Sequence, residues 1–187
     1  MRFRNLPVVV AIAVSAAAVL TPASALAATD TTSVGITGGT LDYTTPLTAG
    51  DFPATTLTGL QQFKSANISP YSVTDSRGGS AGWNLTIAAS QFASGTDTLP
   101  AGSLLMALPP APTTTAGNLG VAPVPVVTTA IDNATTQKFV SAAALPLSGA
   151  GAWTFSPAAG ALTLTIPPAV APGTYTSTIT TTLATGP

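Results

Sequence analysis

Apolar and polar residues alternate with period 2 along much of the chain. Trp83, Leu85 and Ile87 alternate with Asn84, Thr86 and Ala88, and Leu162, Leu164 and Ile166 alternate with Thr163 and Thr165. Near the end, Tyr175, Ser177, Ile179, Thr181 and Leu183 alternate with Thr174, Thr176, Thr178, Thr180 and Thr182. Each set puts apolar side chains on one face of a sheet and hydroxyls on the other, the pattern of a half-buried strand. Threonine suits this role because its branched Cβ favours extended backbone, while its hydroxyl keeps the outer face wet. Shorter runs predict strands at 41–43, 71–73, 104–108, 138–140 and 153–155. Turn signals separate them, among them Gly38-Gly39, Arg77-Gly78-Gly79-Ser80, Pro100-Ala101-Gly102, Pro167-Pro168 and Pro172-Gly173. Short strands between Gly/Pro punctuation, with no amphipathic helical pattern after residue 28, predict an all-β sandwich or barrel, with the antiparallel β-sandwich as the expected form. The Ala- and Pro-rich stretch 109–127 is too long for a tight turn. It reads as a surface excursion across the sandwich, with a piece of strand near 124–127.

The first residues follow a different logic. Arg2 and Arg4 give a positive start, an apolar run extends from Val8 to Leu20, and Thr21-Pro22 breaks any helix. Ala25-Leu26-Ala27 then places small residues where a signal peptidase reads. The run is about 13 residues, against about 20 for a membrane span. The layout predicts a secretory signal helix over 1–27, cleaved after Ala27, and one domain over 28–187. No second apolar span follows.

Composition narrows the chemistry. Of 187 residues, 45% are hydrophobic and only 6% charged, with no cysteine and no histidine. Disulfides and thiolate metal sites are therefore excluded, as are the usual histidine-assisted nucleophiles. Removing the leader leaves Lys64, Arg77 and Lys138 against six aspartates. Three cations cannot form the phosphate-neutralising stripe that nucleic-acid binding requires. Neither a cofactor nor a metal is expected.

Two segments go beyond generic β patterning. The first couples Val73-Thr74-Asp75-Ser76-Arg77-Gly78 to Gly82-Trp83-Asn84-Leu85. The second runs from Trp153-Thr154-Phe155, through Leu162 to Pro167, to a closing Gly173-Thr174-Tyr175 strand. Together they resemble the WxL domain of Gram-positive surface proteins. That family joins a Val-Thr-Asp-x-Arg-Gly turn to a Gly-Trp-x-Leu strand and ends on a Gly-Thr-Tyr strand bearing a second Trp-x-Leu. Trp83-Asn84-Leu85 fits the first motif; at the second, this chain has Thr181-Thr182-Leu183, keeping Tyr175 and Leu183 but not the tryptophan. The resemblance implies a cell-surface protein bound non-covalently to peptidoglycan or another wall polymer, and assembly with other surface proteins. On that footing Trp83, Asn84, Leu85, Asp75, Arg77, Tyr175 and Leu183 are the candidate wall-binding residues.

Each candidate also has a plainer reading. Trp83 shares a strand face with Leu85 and Ile87, so alternation alone places it in the core; alternatively it is a platform for a glycan ring or muropeptide stem. Asp75 and Arg77 flank a Gly-rich turn, which they brace or from which they reach charged stem groups. Gly78-Gly79-Ser80-Ala81-Gly82 matches a hydrolase elbow in letters only, because it leads into a strand and the chain lacks a histidine base. The aspartates are scattered, with no aromatic cluster to hold a sugar between an acid and a base and no EF-hand spacing for calcium. The Asn-x-Ser/Thr triplets at Asn67, Asn84 and Asn133 matter only in a eukaryotic source. The expected protein is thus a non-catalytic wall binder. The alternatives are a pilin- or adhesin-like subunit pairing through strand edges, chiefly at 174–183, and an aspartate-based wall hydrolase.

Overall fold

The computed structural model describes residues 29–187. The signal helix expected over 1–27 lies outside them. Thirteen strands follow one another in the described part: β1 (Leu41–Thr45), β2 (Gln62–Ala66), β3 (Tyr71–Asp75), β4 (Trp83–Ala89), β5 (Ala93–Ser94), β6 (Asp97–Thr98), β7 (Leu104–Met106), β8 (Thr113–Thr114), β9 (Val124–Pro125), β10 (Gln137–Ala142), β11 (Gly151–Phe155), β12 (Leu162–Ile166) and β13 (Ile179–Thr185). No helix occurs among the described residues.

Two four-stranded sheets, ordered β1-β3-β11-β8 and β13-β4-β10-β9, carry most of the architecture. A third sheet runs β2-β12-β7, and β5 and β6 form a two-stranded hairpin. Every strand pair is antiparallel. The first two sheets face each other through aromatic rings. Tyr71 on β3 stacks on its register partner Phe155 at 4.9 Å, and meets Phe139 of the opposite sheet edge-on at 5.8 Å. Offset and edge-to-face contacts of this kind let rings pack without opposing their negative faces. The expected antiparallel sandwich is therefore the observed one.

Alternation is realised residue by residue. On β4, Trp83, Leu85, Ile87 and Ala89 point inward, while Asn84, Thr86 and Ala88 point out. On β12, Leu162 and Leu164 point inward and Thr163 outward. β10 departs from strict alternation because its register to β4 shifts between Lys138 and Val140. That bulge lets the consecutive residues Phe139 and Val140 both enter the core. The third sheet adds Leu104, Met106, Leu162 and Leu164 to the same core. Backbone bonds at Ile131 hold the second and third sheets together: its N–H donates to Leu104 O at 2.9 Å, and its carbonyl accepts from Ala89 N–H at 2.7 Å.

The excursion 109–127 does cross between sheets. It supplies β8 to the edge of the first, beside β11, and β9 to the edge of the second, beside β10. The terminal strand is shorter than its pattern predicts. Regular pairing to β4 begins at Ile179; upstream, Thr176 makes only an isolated bridge to Ala93. Pro172-Gly173 and the passage around the β5–β6 hairpin interrupt the ladder there, although the threonine alternation continues through it.

Candidate functional site

The Asp-x-Arg-Gly turn and the Trp-x-Leu strand meet at one end of the sandwich, around the C-terminus. Asp75 occupies the last inward position of β3 and is 8% exposed. Arg77 folds back over it. Its Nε donates to Asp75 Oδ1 at 2.9 Å and its Nη2 to Oδ2 at 2.8 Å, a two-pronged ion pair. The Arg77 backbone N–H also donates to Oδ1, at 3.2 Å. The same guanidinium reaches two further elements: Nη2 donates to Gly82 O at 2.9 Å, and Nη1 to Thr185 Oγ1 at 3.1 Å. Around it, Gly186 N–H donates to Gly82 O at 3.2 Å, and Asn84 Nδ2 to Gly186 O at 2.6 Å.

This network explains the motif's spacing. A strand ending on an inward carboxylate, followed two residues later by arginine, places the fork of the guanidinium where planar pairing with the carboxylate is possible. Arg77 then pins the β3–β4 turn to the end of β13. The hydrogen bonds from Arg77 hold the Asp75 carboxyl below the usual carboxylate range, against an opposing push from burial. Asp75 in turn raises the Arg77 pKa.

Trp83 and Leu85 are fully buried. The indole Nε1–H donates to Gly149 O at 3.1 Å, which gives this buried polar group a partner. Two glycines make room for that arrangement. A Cβ at Gly149 (φ +68) would lie 2.4 Å from Trp83 Nε1, and one at Gly82 (φ +66) would lie 2.5 Å from Ala142 O. Only glycine combines the positive φ with so close an approach.

The other candidates are spread along the terminal segment. Leu183 is half-buried and sits opposite Leu85 in register. Tyr175 packs at the edge of the core, its hydroxyl donating to Ala171 O at 3.0 Å. Where the second tryptophan of the motif would fall, Thr181 lies opposite Ile87. The structure thus gathers Asp75, Arg77, Asn84 and the C-terminal end of β13 into one cluster, with Trp83 and Leu85 beneath it. Tyr175 stands apart.

One carboxylate carries more weight than its sequence context suggests. Asp132 is 1% exposed and accepts the backbone N–H groups of Gly102 and Ser103 at 3.0 and 3.1 Å. It holds the turn that feeds β7. Its neighbours Asn133 and Ala134 read as an ordinary polar turn, and only the adjacent Ile131 marks a core approach. Asp132→Ala leaves two donors without their acceptor and is expected to cost about 2–3 kcal/mol. Urea denaturation checks this, with Asp132→Asn expected to restore part of the loss. An unchanged midpoint in the alanine variant would contradict the role.

A family model described as WxL domain, surface cell wall-binding, matches residues 40–187. No curated protein and no solved structure matches the chain.

Proposed function

The chain belongs to the WxL domain family of surface cell-wall-binding domains, and from that membership we propose that the protein is secreted, loses its leader after Ala27, and binds peptidoglycan non-covalently. The observation that carries this reading is the match across residues 40–187, which takes in both motif segments and the terminal strand. The protein acts by binding, without catalysis. Its two buried carboxylates support this: Asp75 is paired with Arg77, and Asp132 is occupied by backbone N–H groups. The motif residues serve the wall indirectly. Trp83, Leu85, Asp75, Arg77 and Asn84 hold the end of the sandwich closed, and Leu183 and Tyr175 seat the terminal segment, so the surface that touches the wall stays rigid.

Pairing with companion proteins through strand edges is the competing reading. It is favoured by the position of β13 at the end of its sheet order. It is weakened by β1, which lies close to β13. Sedimentation of residues 28–187 with purified peptidoglycan separates the two. Protein carried down with the wall, with no muropeptide released, is the expected result. Protein that stays in the supernatant while forming concentration-dependent oligomers would replace wall binding by edge pairing.

A further inference from the structure

The outer face of the third sheet differs from the other two outer faces. Phe63 and Ser65 of β2, Thr163 and Thr165 of β12, and Leu105 of β7 share it: Thr165 lies directly opposite Phe63, and Thr163 lies between Ser65 and Leu105. Phe63 is 65% exposed and Leu105 44%. Every other aromatic ring among the described residues is buried or half-buried. Next to Thr165, an open cleft of about 250 Å³ is bordered by Gln61, Ser103, Pro100, Pro167 and Pro168. That is below the roughly 300–1,000 Å³ of pockets that engulf a small ligand. It suits a substituent or edge of a polymer lying across the surface.

The chemistry of this face is specific in two ways. First, its uncommitted hydroxyls flank an exposed aromatic ring. On the first sheet, Thr44 donates to Thr74 at 3.0 Å and Thr154 to Ser72 at 3.5 Å; on the second, Thr86 donates to Thr182 O at 3.4 Å, while the exposed hydroxyls of Thr180 and Thr182 make no such bond but have no exposed ring beside them. The side-chain hydroxyls of Ser65, Thr163 and Thr165 make no such bond to another described residue. Second, neither the face nor the cleft carries a charge. Lys64 lies between Phe63 and Ser65 but, by strand alternation, on the opposite side. A pyranose ring presents an apolar C–H face and a rim of hydroxyl and amide groups. It matches a flat aromatic platform flanked by free hydroxyls. A stem peptide, with its amino and carboxylate groups, finds no counter-charge here.

We propose that this face is the wall-contacting surface, and that its ligand is the neutral N-acetylated glycan strand of the wall, a sugar ring resting on Phe63 with Thr163, Thr165 and Gln61 bonding its rim. The proposal rests on the wall-binding reading above and adds where contact is made and with which part of the polymer.

The test is co-sedimentation of the secreted protein with purified walls, comparing wild type, Phe63→Ala and, as a control on another outer face, Thr182→Ala. Soluble N-acetylglucosamine oligomers and soluble stem peptides serve as competitors. Phe63→Ala is expected to weaken binding at least about tenfold, the scale of losing one aromatic anchor. It should keep the thermal midpoint of wild type, because the ring is exposed. Thr182→Ala should bind as wild type, and the sugar oligomers should compete. If wild type binds and Phe63→Ala binds equally, or if only the stem peptides compete, this site is overturned while wall binding stands. If wild type does not sediment with walls at all, the wall-binding reading itself fails.

Discussion

Replacing Trp83 with alanine is expected to lower the stability of the domain by about 3–5 kcal/mol, the range for deleting a buried aromatic ring. For a domain of this size that corresponds to a thermal midpoint lowered by roughly 6–20 °C. The ring is fully buried, packs among the inward residues of β4 and β10, and has Gly149 fitted against it. A cavity there cannot collapse easily, because β4 is the central strand that pairs with both β13 and β10. Trp83→Phe keeps most of the volume but leaves Gly149 O without the indole donor. Its expected loss is smaller, about 1–3 kcal/mol. Thermal melts followed by far-UV circular dichroism would measure both. An alanine variant as stable as wild type but unable to bind walls would make Trp83 a contact residue and overturn its core role.

Arg77→Ala is expected to cost about 2–3 kcal/mol at neutral pH. Removing one partner of a buried pair strands the other charge, here the carboxylate of Asp75. The figure lies below that of a fully enclosed pair because the Arg77 side chain is 23% exposed. The variant also loses the bonds to Gly82 O and Thr185, so the end of β13 should fray and its amides exchange faster. The pH dependence follows from the direction of the Asp75 shift. Its carboxyl titrates below the unfolded value of about 3.9. The pair's contribution is therefore complete above that value and is lost as pH falls through the lower folded value. Urea midpoints of wild type and Arg77→Ala should differ fully at neutral pH, begin to converge as pH falls below about 4, and meet once pH passes below the lowered Asp75 value. A difference that stays constant down to pH 2.5 would show that the charge on Asp75 is not what Arg77 stabilises.

The strands that alternate apolar with hydroxyl residues were the legible ones. β4 and β12 appear where their periodicity predicts them, because a residue's face in a strand depends only on its parity and half of each strand must be dry. β2 was missed for the same reason. Its exposed Phe63 and half-buried Gln62 and Lys64 put the apolar residue on the outer side, so the pattern offers no inward hydrophobic stripe except Ala66. β8 was hidden in the Pro-rich excursion, being two threonines long. The end of the candidate site was legible only in part. The Asp-x-Arg spacing suggests a braced turn, but nothing local reveals that the same guanidinium also reaches Thr185, more than a hundred residues away. Phe63, a lone aromatic in a polar stretch, gains meaning only once β12 and β7 are set beside it.

Local order alone determined the all-β class, the inward phase of the main strands, the absence of thiol and imidazole side chains from the sequence, and the family to which the chain belongs. These depend on residue type and short spacing, which the linear chain carries in full. Only the tertiary structure decided which strands are neighbours, that Phe63 is exterior, and which end of the sandwich Arg77 closes. Those outcomes depend on contacts between distant segments, where burial of one face is settled by whatever sheet comes to lie against it.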